Sequence, residues 1–128
     1  MRYLLDTHAF LWIVREDNRL TDEVRDIFSD STTEILLSVV SIWEMAIKIR
    51  LGKLEIEGRL GRFIDKHAIG NNVRLLNVSE AHVLPLEKLP LHHRDPFDRL
   101  LVCQSKEEKL PILSSDKIFD NYRIKRIW

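Results

Sequence analysis

At 128 residues the chain has the length of one ordinary domain, and its 45% apolar content is enough for a single real core. Twenty acids balance twenty bases, which excludes bulk charge as a route to nucleic acid or membrane and leaves that work to local basic patches. One cysteine, Cys103, excludes an intramolecular disulfide, and no Cys/His cluster has structural-zinc spacing, so cytoplasmic residence is expected.

The chain opens on a short apolar run, Tyr3 to Leu5, followed at once by Asp6. Such a run suits a strand buried on both faces, and Asp6 falls where that strand ends and a helix begins. Asp6 and His8 interrupt the segment, making it a poor signal peptide, and no stretch reaches the length of a membrane span. Phe10, Leu11 and Val14 continue at helical spacing to the charged turn Arg15 to Asn18. Thr21 is a natural N-cap for a second helix to Phe28. Ser29 to Thr33 reads as a loop and Glu34 to Ser38 as a second buried strand.

Val39 to Leu51 is a helix apolar nearly all round, and Gly52 is a good stop. A short amphipathic helix follows, around Leu60, Phe63 and Ile64. Val73 to Val78 is a third strand, Ser79-Glu80 caps a helix through Val83, and Pro85 and Pro90 punctuate an irregular connection ending at His92-His93-Arg94. Asp95 as N-cap with Pro96 at the first helical position opens a long helix to about Glu108. Leu110 to Leu113 is a fourth strand, Lys117 to Asn121 a helical turn, and Arg123 to Ile127 a last strand. Buried strands alternating with helices predict one α/β domain over residues 1–128, with a mostly parallel sheet covered on both faces.

Four acids share one kind of address. Asp6 and Asp116 follow apolar strands, Glu44 lies early in the helix after the second strand, and Asp98 lies in the first turn of the long helix. In open α/β sheets ligands bind outside the carboxyl ends of the strands. Crowded carboxylates repel, and a hard divalent cation with a preference for oxygen ligands relieves that repulsion. Mg²⁺ or Mn²⁺ is favoured over Zn²⁺ by so oxygen-rich a set. Each acid also has a plainer use. Glu44 fits a capping box with Ser41 or an i,i+4 pair with Lys48, Asp95 and Asp98 suit a helix start, and Asp116 suits a turn cap.

Leu4-Leu5-Asp6-Thr7-His8, Ser41-Ile42-Trp43-Glu44, His93-Arg94-Asp95-Pro96-Phe97-Asp98-Arg99-Leu100-Leu101 and Ser115-Asp116 together resemble the PIN-domain family, and within it the VapC-type toxin ribonucleases. The resemblance runs from end to end, and the Arg-Asp-Pro-Phe-Asp-Arg-Leu-Leu block is its most specific piece. It implies a three-layer α/β/α PIN-like fold and a Mg²⁺- or Mn²⁺-dependent endoribonuclease that cuts RNA by metal-activated water. It also implies neutralisation by a cognate antitoxin, and a homodimer. Carried over by position, Asp6, Glu44, Asp98 and Asp116 match the family's acidic site, with Asp6 and Asp98 as direct metal ligands.

Thr7 either supports Asp6 or caps the first helix. His8 is expected to face its helix and His92 and His93 to lie in a loop, and none of the three is assigned to catalysis. Arg94 and Arg99 either contact phosphate or neutralise the acids, and Lys48, Arg50 and Lys53 form the nearest basic patch or a solvated face. Phe10, Leu11, Trp12, Trp43 and Met45 are mostly core, and an exposed remnant would serve a partner. The competing readings are a non-toxin nuclease of the same fold, or a module that only binds RNA or a partner. A haloacid-dehalogenase-like phosphatase would need an Asp two residues after Asp6, where His8 stands, and a receiver domain's acid pair and lysine are missing.

Overall fold

A computed structural model describes residues 1–128. Its centre is a five-stranded sheet in the order β3-β2-β1-β4-β5, built from β1 (Arg2–Leu5), β2 (Glu34–Ser38), β3 (Val73–Leu76), β4 (Ile112–Leu113) and β5 (Arg126–Ile127). Every neighbouring pair is parallel. Six α-helices connect and cover the strands: α1 (Thr7–Val14), α2 (Asp22–Ser29), α3 (Val39–Arg50), α4 (Leu60–His67), α5 (Glu80–Val83) and α6 (Pro96–Glu108). The fold is the expected α/β/α sandwich, with an all-parallel sheet.

The two-residue side-chain period of the strands divides the core. Tyr3 and Leu5 join Ile35, Leu37, Val73 and Leu113 on one face, against α1, α2 and α4. Leu4 joins Leu36 and Ile112 on the other, against Leu101 and Val102 of α6 and Phe119 beyond β4. Leu5 is fully buried and sits in register between Leu37 and Leu113. Leu5→Ala is therefore expected to cost about 2–5 kcal/mol, read from denaturant unfolding.

The helices start where the sequence places caps. Thr21 accepts the Val24 amide at 3.3 Å, with Asp22 and Glu23 in the first turn of α2 to complement its dipole. Asp95 accepts the amides of Phe97 and Asp98 at 2.8 and 3.3 Å. Gly52, at φ +72°, takes the left-handed conformation that ends the third helix.

Three strands are shorter than the apolar runs that encode them. Pro111 has no amide to donate, so β4 begins at Ile112, although the Pro111 carbonyl still accepts the Leu4 amide at 2.9 Å. Arg123 has φ +59°, outside strand geometry, and delays β5 to Arg126. β3 stops at Leu76 because its partner β2 ends at Ser38. No helix is long and apolar enough to cross a membrane.

The chain builds outward from β1 to β2 and β3, then returns to lay β4 and β5 on the other side. Between β1 and β4 the order reverses. A reversal of this kind is where α/β sheets leave a crevice at the carboxyl ends of the strands. Asp6 and Ser114 each follow one of the two strands, and the Asp6 amide donates to the Leu113 carbonyl at 3.2 Å.

Candidate active site

Asp6 leaves β1 directly into this crevice and is the N-cap of α1. Its Oδ1 accepts the Ala9 amide at 2.6 Å and its Oδ2 accepts the Ser114 hydroxyl. Burial is the largest influence on its carboxyl and raises its pKa from 3.8 to about 6, against the opposing pull of those hydrogen bonds. Ser114 also accepts the Asp116 amide at 3.0 Å, so one hydroxyl ties the end of β4 to the end of β1.

Thr7 neither supports Asp6 nor caps α1. Its Oγ1 donates to Glu44 Oε1 at 2.7 Å and shares a 2.9 Å hydrogen bond with the Ser41 hydroxyl. The cap belongs to Asp6, which leaves the Thr7 side chain pointing across to α3. Ser38, accepting the Val40 amide at 3.0 Å, is the true N-cap of α3, so Ser41 lies inside the helix and the Ser41–Glu44 capping box does not form. Glu44 Oε2 instead takes the Lys48 ammonium at 2.6 Å, one turn on. The Glu44 carboxylate is thus buried and fully engaged. Lys48 is spent on it and is not a free phosphate contact.

Asp98 projects from the first turn of α6 into the same crevice. Burial, followed by the nearby carboxylates of Asp95, Asp6, Glu44 and Asp116, pushes its pKa from 3.8 up to about 8. Asp6, Glu44 and Asp116 are thus each near enough to be felt by the Asp98 carboxyl. The tightest group at the site, however, is His93, Asp98 and Asp116, whose ligand atoms lie within 4.8 Å of one another. His93 Nε2 is 3.1 Å from Asp98 Oδ2 and 2.8 Å from Asp116 Oδ2. Asp6 and Glu44 stand outside that group. Asp116 also caps the turn after β4 through Oδ1, which accepts the Ile118 amide at 3.0 Å.

His93 lies in the loop expected from the sequence, and its contacts there go beyond that expectation. Its Nδ1 accepts the Asp95 amide at 3.1 Å, and its own amide donates to the Tyr122 hydroxyl at 2.7 Å. An acceptor at Nδ1 assigns the ring proton to Nε2. Nε2 is then a donor to both carboxylates, and the geometry makes His93 a clamp for Asp98 and Asp116 more readily than a third ligand. A histidine two residues before a helix-capping aspartate was the available signal. His8 is exposed, near Trp12 of its own helix, and stays outside the site. Arg94 is exposed, and Arg99 reaches the Leu89 carbonyl at 3.4 Å and no carboxylate. Trp43 and Phe97, next to Glu44 and Asp98 in sequence, meet edge-to-face at 4.9 Å, and Trp43 remains 57% exposed.

The fold and site together define an α/β/α domain with a carboxylate crevice at its switch point, a class suited to holding a hard cation. The chain belongs to the PIN domain family, whose profile matches residues 3–125. No curated protein sequence matches it. Among solved structures it resembles VapBC2 from Rickettsia felis, bound there to a DNA fragment from its promoter, with TM-score 0.72 and 12% identity over 99% of this chain and 98% of that one. VapBC-1 from nontypeable Haemophilus influenzae gives 0.71 and 16% identity over 99% and 97%. FitAcB from Neisseria gonorrhoeae gives 0.65 and 18% identity over 100% and 97%.

Proposed function

We propose that this chain is a single PIN-like nuclease domain that hydrolyses RNA phosphodiester bonds with Mg²⁺ or Mn²⁺, and that it is the toxin of a toxin–antitoxin pair. The nuclease reading is supported by Asp98, which lies beside Asp116 at this sheet edge and whose pKa is raised to about 8 by burial and then by the charges of Asp95, Asp6, Glu44 and Asp116. A fold gains nothing in stability from such a cluster. An oxygen-rich donor set under that strain fits a hard divalent ion.

When bound, the ion supplies Lewis acidity at a phosphoryl oxygen and eases deprotonation of water. Asp6 and Asp98 would hold it. Asp116, at the more exposed rim, orients the attacking water and can receive its proton. Glu44, buried with Lys48 and Thr7, contributes fixed negative charge and keeps α3 in place behind the site. Cleavage of RNA by purified protein is expected with Mg²⁺ or Mn²⁺ and lost with EDTA. Undiminished cleavage by folded Asp6→Asn protein would remove this mechanism.

The clamp assigned to His93 makes its own prediction. His93→Gln keeps a donor near the Nε2 position, and His93→Leu removes it. Mn²⁺ affinity, followed by the electron paramagnetic resonance of the free ion, should fall about 10–100-fold in the Leu variant and much less in the Gln variant. Equal affinities in all three proteins would leave the clamp without function.

The toxin reading rests on the VapC-like motifs and on the fold shared with VapBC complexes. A cognate antitoxin and a second copy of the chain are the partners it requires. Exposed Trp43 and Ile47 on α3, with Leu51 just past its end, offer apolar surface for one of them. Growth arrest on expression, relieved by a co-expressed neighbouring gene, is the expected result. Harmless expression with cleavage intact would leave a non-toxin nuclease.

A further inference from the structure

Four bases gather at the end of the sheet opposite the carboxylates. Lys106 and Lys109 at the end of α6, and Arg123 and Lys125 before β5, line a cavity of about 340 Å³ with no acidic residue in its wall. All four are exposed. None forms an ion pair, while six other lysines and arginines of this chain do. The acids carried by the same elements point elsewhere. Glu108 pairs with His82 at 2.9 Å and Asp120 with Arg126 at 2.9 Å, and Glu107 lines a neighbouring hollow that shares Lys106 with this one. In a chain of zero net charge, an unpaired group of this kind is a local field.

The backbone supplies a second, independent observation. Only four non-glycine residues have positive φ, and two of them, Lys109 at 56° and Arg123 at 59°, belong to this one cavity. Both are helix C-caps, where glycine is the usual occupant. A lysine and an arginine at these positions cost stability that glycine would not. Placing long cations there is explained if their side chains have a ligand.

The cavity does not stand alone. Lys106 and Arg123 also line a second hollow with His92 and Tyr122. His92 is exposed and directly precedes His93, whose ring touches Asp98 and Asp116. Lys106 lies eight residues after Asp98, about 12 Å along α6, a span a few nucleotides cover.

We infer that these bases form a binding track for the phosphate backbone of single-stranded RNA, leading from the far end of α6 past His92 to the carboxylate crevice. The inference rests on the ribonuclease reading above. A strand that is cut at the crevice must leave it along some surface, and this one joins unpaired cations to an exposed ring on which a base can stack. An acidic protein segment would meet the same cations, but it would have no need of the continuity with the cutting site.

The test uses the full chain carrying Asp98→Asn, so that RNA is not consumed, and a fluorescent single-stranded RNA of about a dozen nucleotides. Lys109→Gly and Arg123→Gly are added together. Glycine suits both backbone positions, so the thermal midpoint should hold or rise. Affinity should drop some tens of fold at about 50 mM salt, and the slope of log affinity against log salt should flatten by about 1.4, or about 0.7 per lost phosphate contact. Unchanged affinity and slope overturn the track. So does equal dependence on the two residues for polyglutamate with none for RNA, which would give the surface to a protein partner. If the two residues govern RNA binding while the unaltered chain cuts no RNA with either ion, the track stands and the nuclease reading falls.

Discussion

Asp98→Asn is expected to abolish RNA cleavage, by about 10³-fold or more, while making the metal-free protein more stable. The first effect follows from removing a negative ligand from the reacting volume, where one preorganised electrostatic contact commonly carries two to three orders of magnitude in rate. The second follows from the strain the carboxylate is under. Its pKa is raised to about 8, first by burial and then by Asp95, Asp6, Glu44 and Asp116. A carboxyl that holds its proton more tightly in the folded state than in the unfolded state weakens the fold as pH rises from about 4 to about 8. Asparagine carries no charge to desolvate, so the gain should be absent near pH 4 and reach the order of a few kcal/mol by pH 8. Thermal unfolding in EDTA at the two pH values, beside a single-turnover cleavage assay, measures both. An Asp98→Asn protein that still cleaves RNA at the wild-type rate would remove Asp98 from the chemistry.

The complementary result concerns the ion. Adding Mn²⁺ or Mg²⁺ should raise the unfolding midpoint of the wild-type chain, more at pH 8 than at pH 5. Asp6, at about 6, and Asp98, at about 8, must give up protons before they can hold a cation, so protons compete with the ion across that window. At an ion concentration about a hundred times the dissociation constant, the stabilisation is about 2.7 kcal/mol. For a chain of this length that is a shift on the order of 10 °C. Asp98→Asn should lose most of the shift, and cleavage should follow the same pH dependence. A midpoint indifferent to divalent ions at pH 8 would contradict the proposed metal site, and with it the role given to the acids.

Much of this molecule is written locally. Alternating buried and covered residues in Tyr3-Leu4-Leu5 and Ile35-Leu36-Leu37 announce strands packed on both faces, and Asp95-Pro96 and Thr21 announce helix starts. These signals are short in range, because a cap or a two-residue alternation is complete within a few positions. The placement of Asp6 and Asp116 after strands, and of Glu44 and Asp98 in the first two turns of helices, is equally local, and it directs them toward one sheet edge once the strands are parallel.

What the sequence could not decide is which side chains meet inside that edge. Asp6, at the chain's beginning, and Ser114, 108 residues later, share a hydrogen bond because β4 returns beside β1. Thr7 turns to Glu44 because Asp6 has taken the cap, and Ser41 loses its expected cap role because Ser38 starts the helix one turn earlier. His93 gains its place between Asp98 and Asp116 through four partners, the Asp95 amide, the Tyr122 hydroxyl and the two carboxylates themselves, drawn from the start of α6 and from the segment after β4. The sequence determined the supply of acids and the edge they reach. The return of β4 and the packing of α3 and α6 decided which of them are held, by what, and at what electrostatic strain, since these depend on distances that no local pattern encodes.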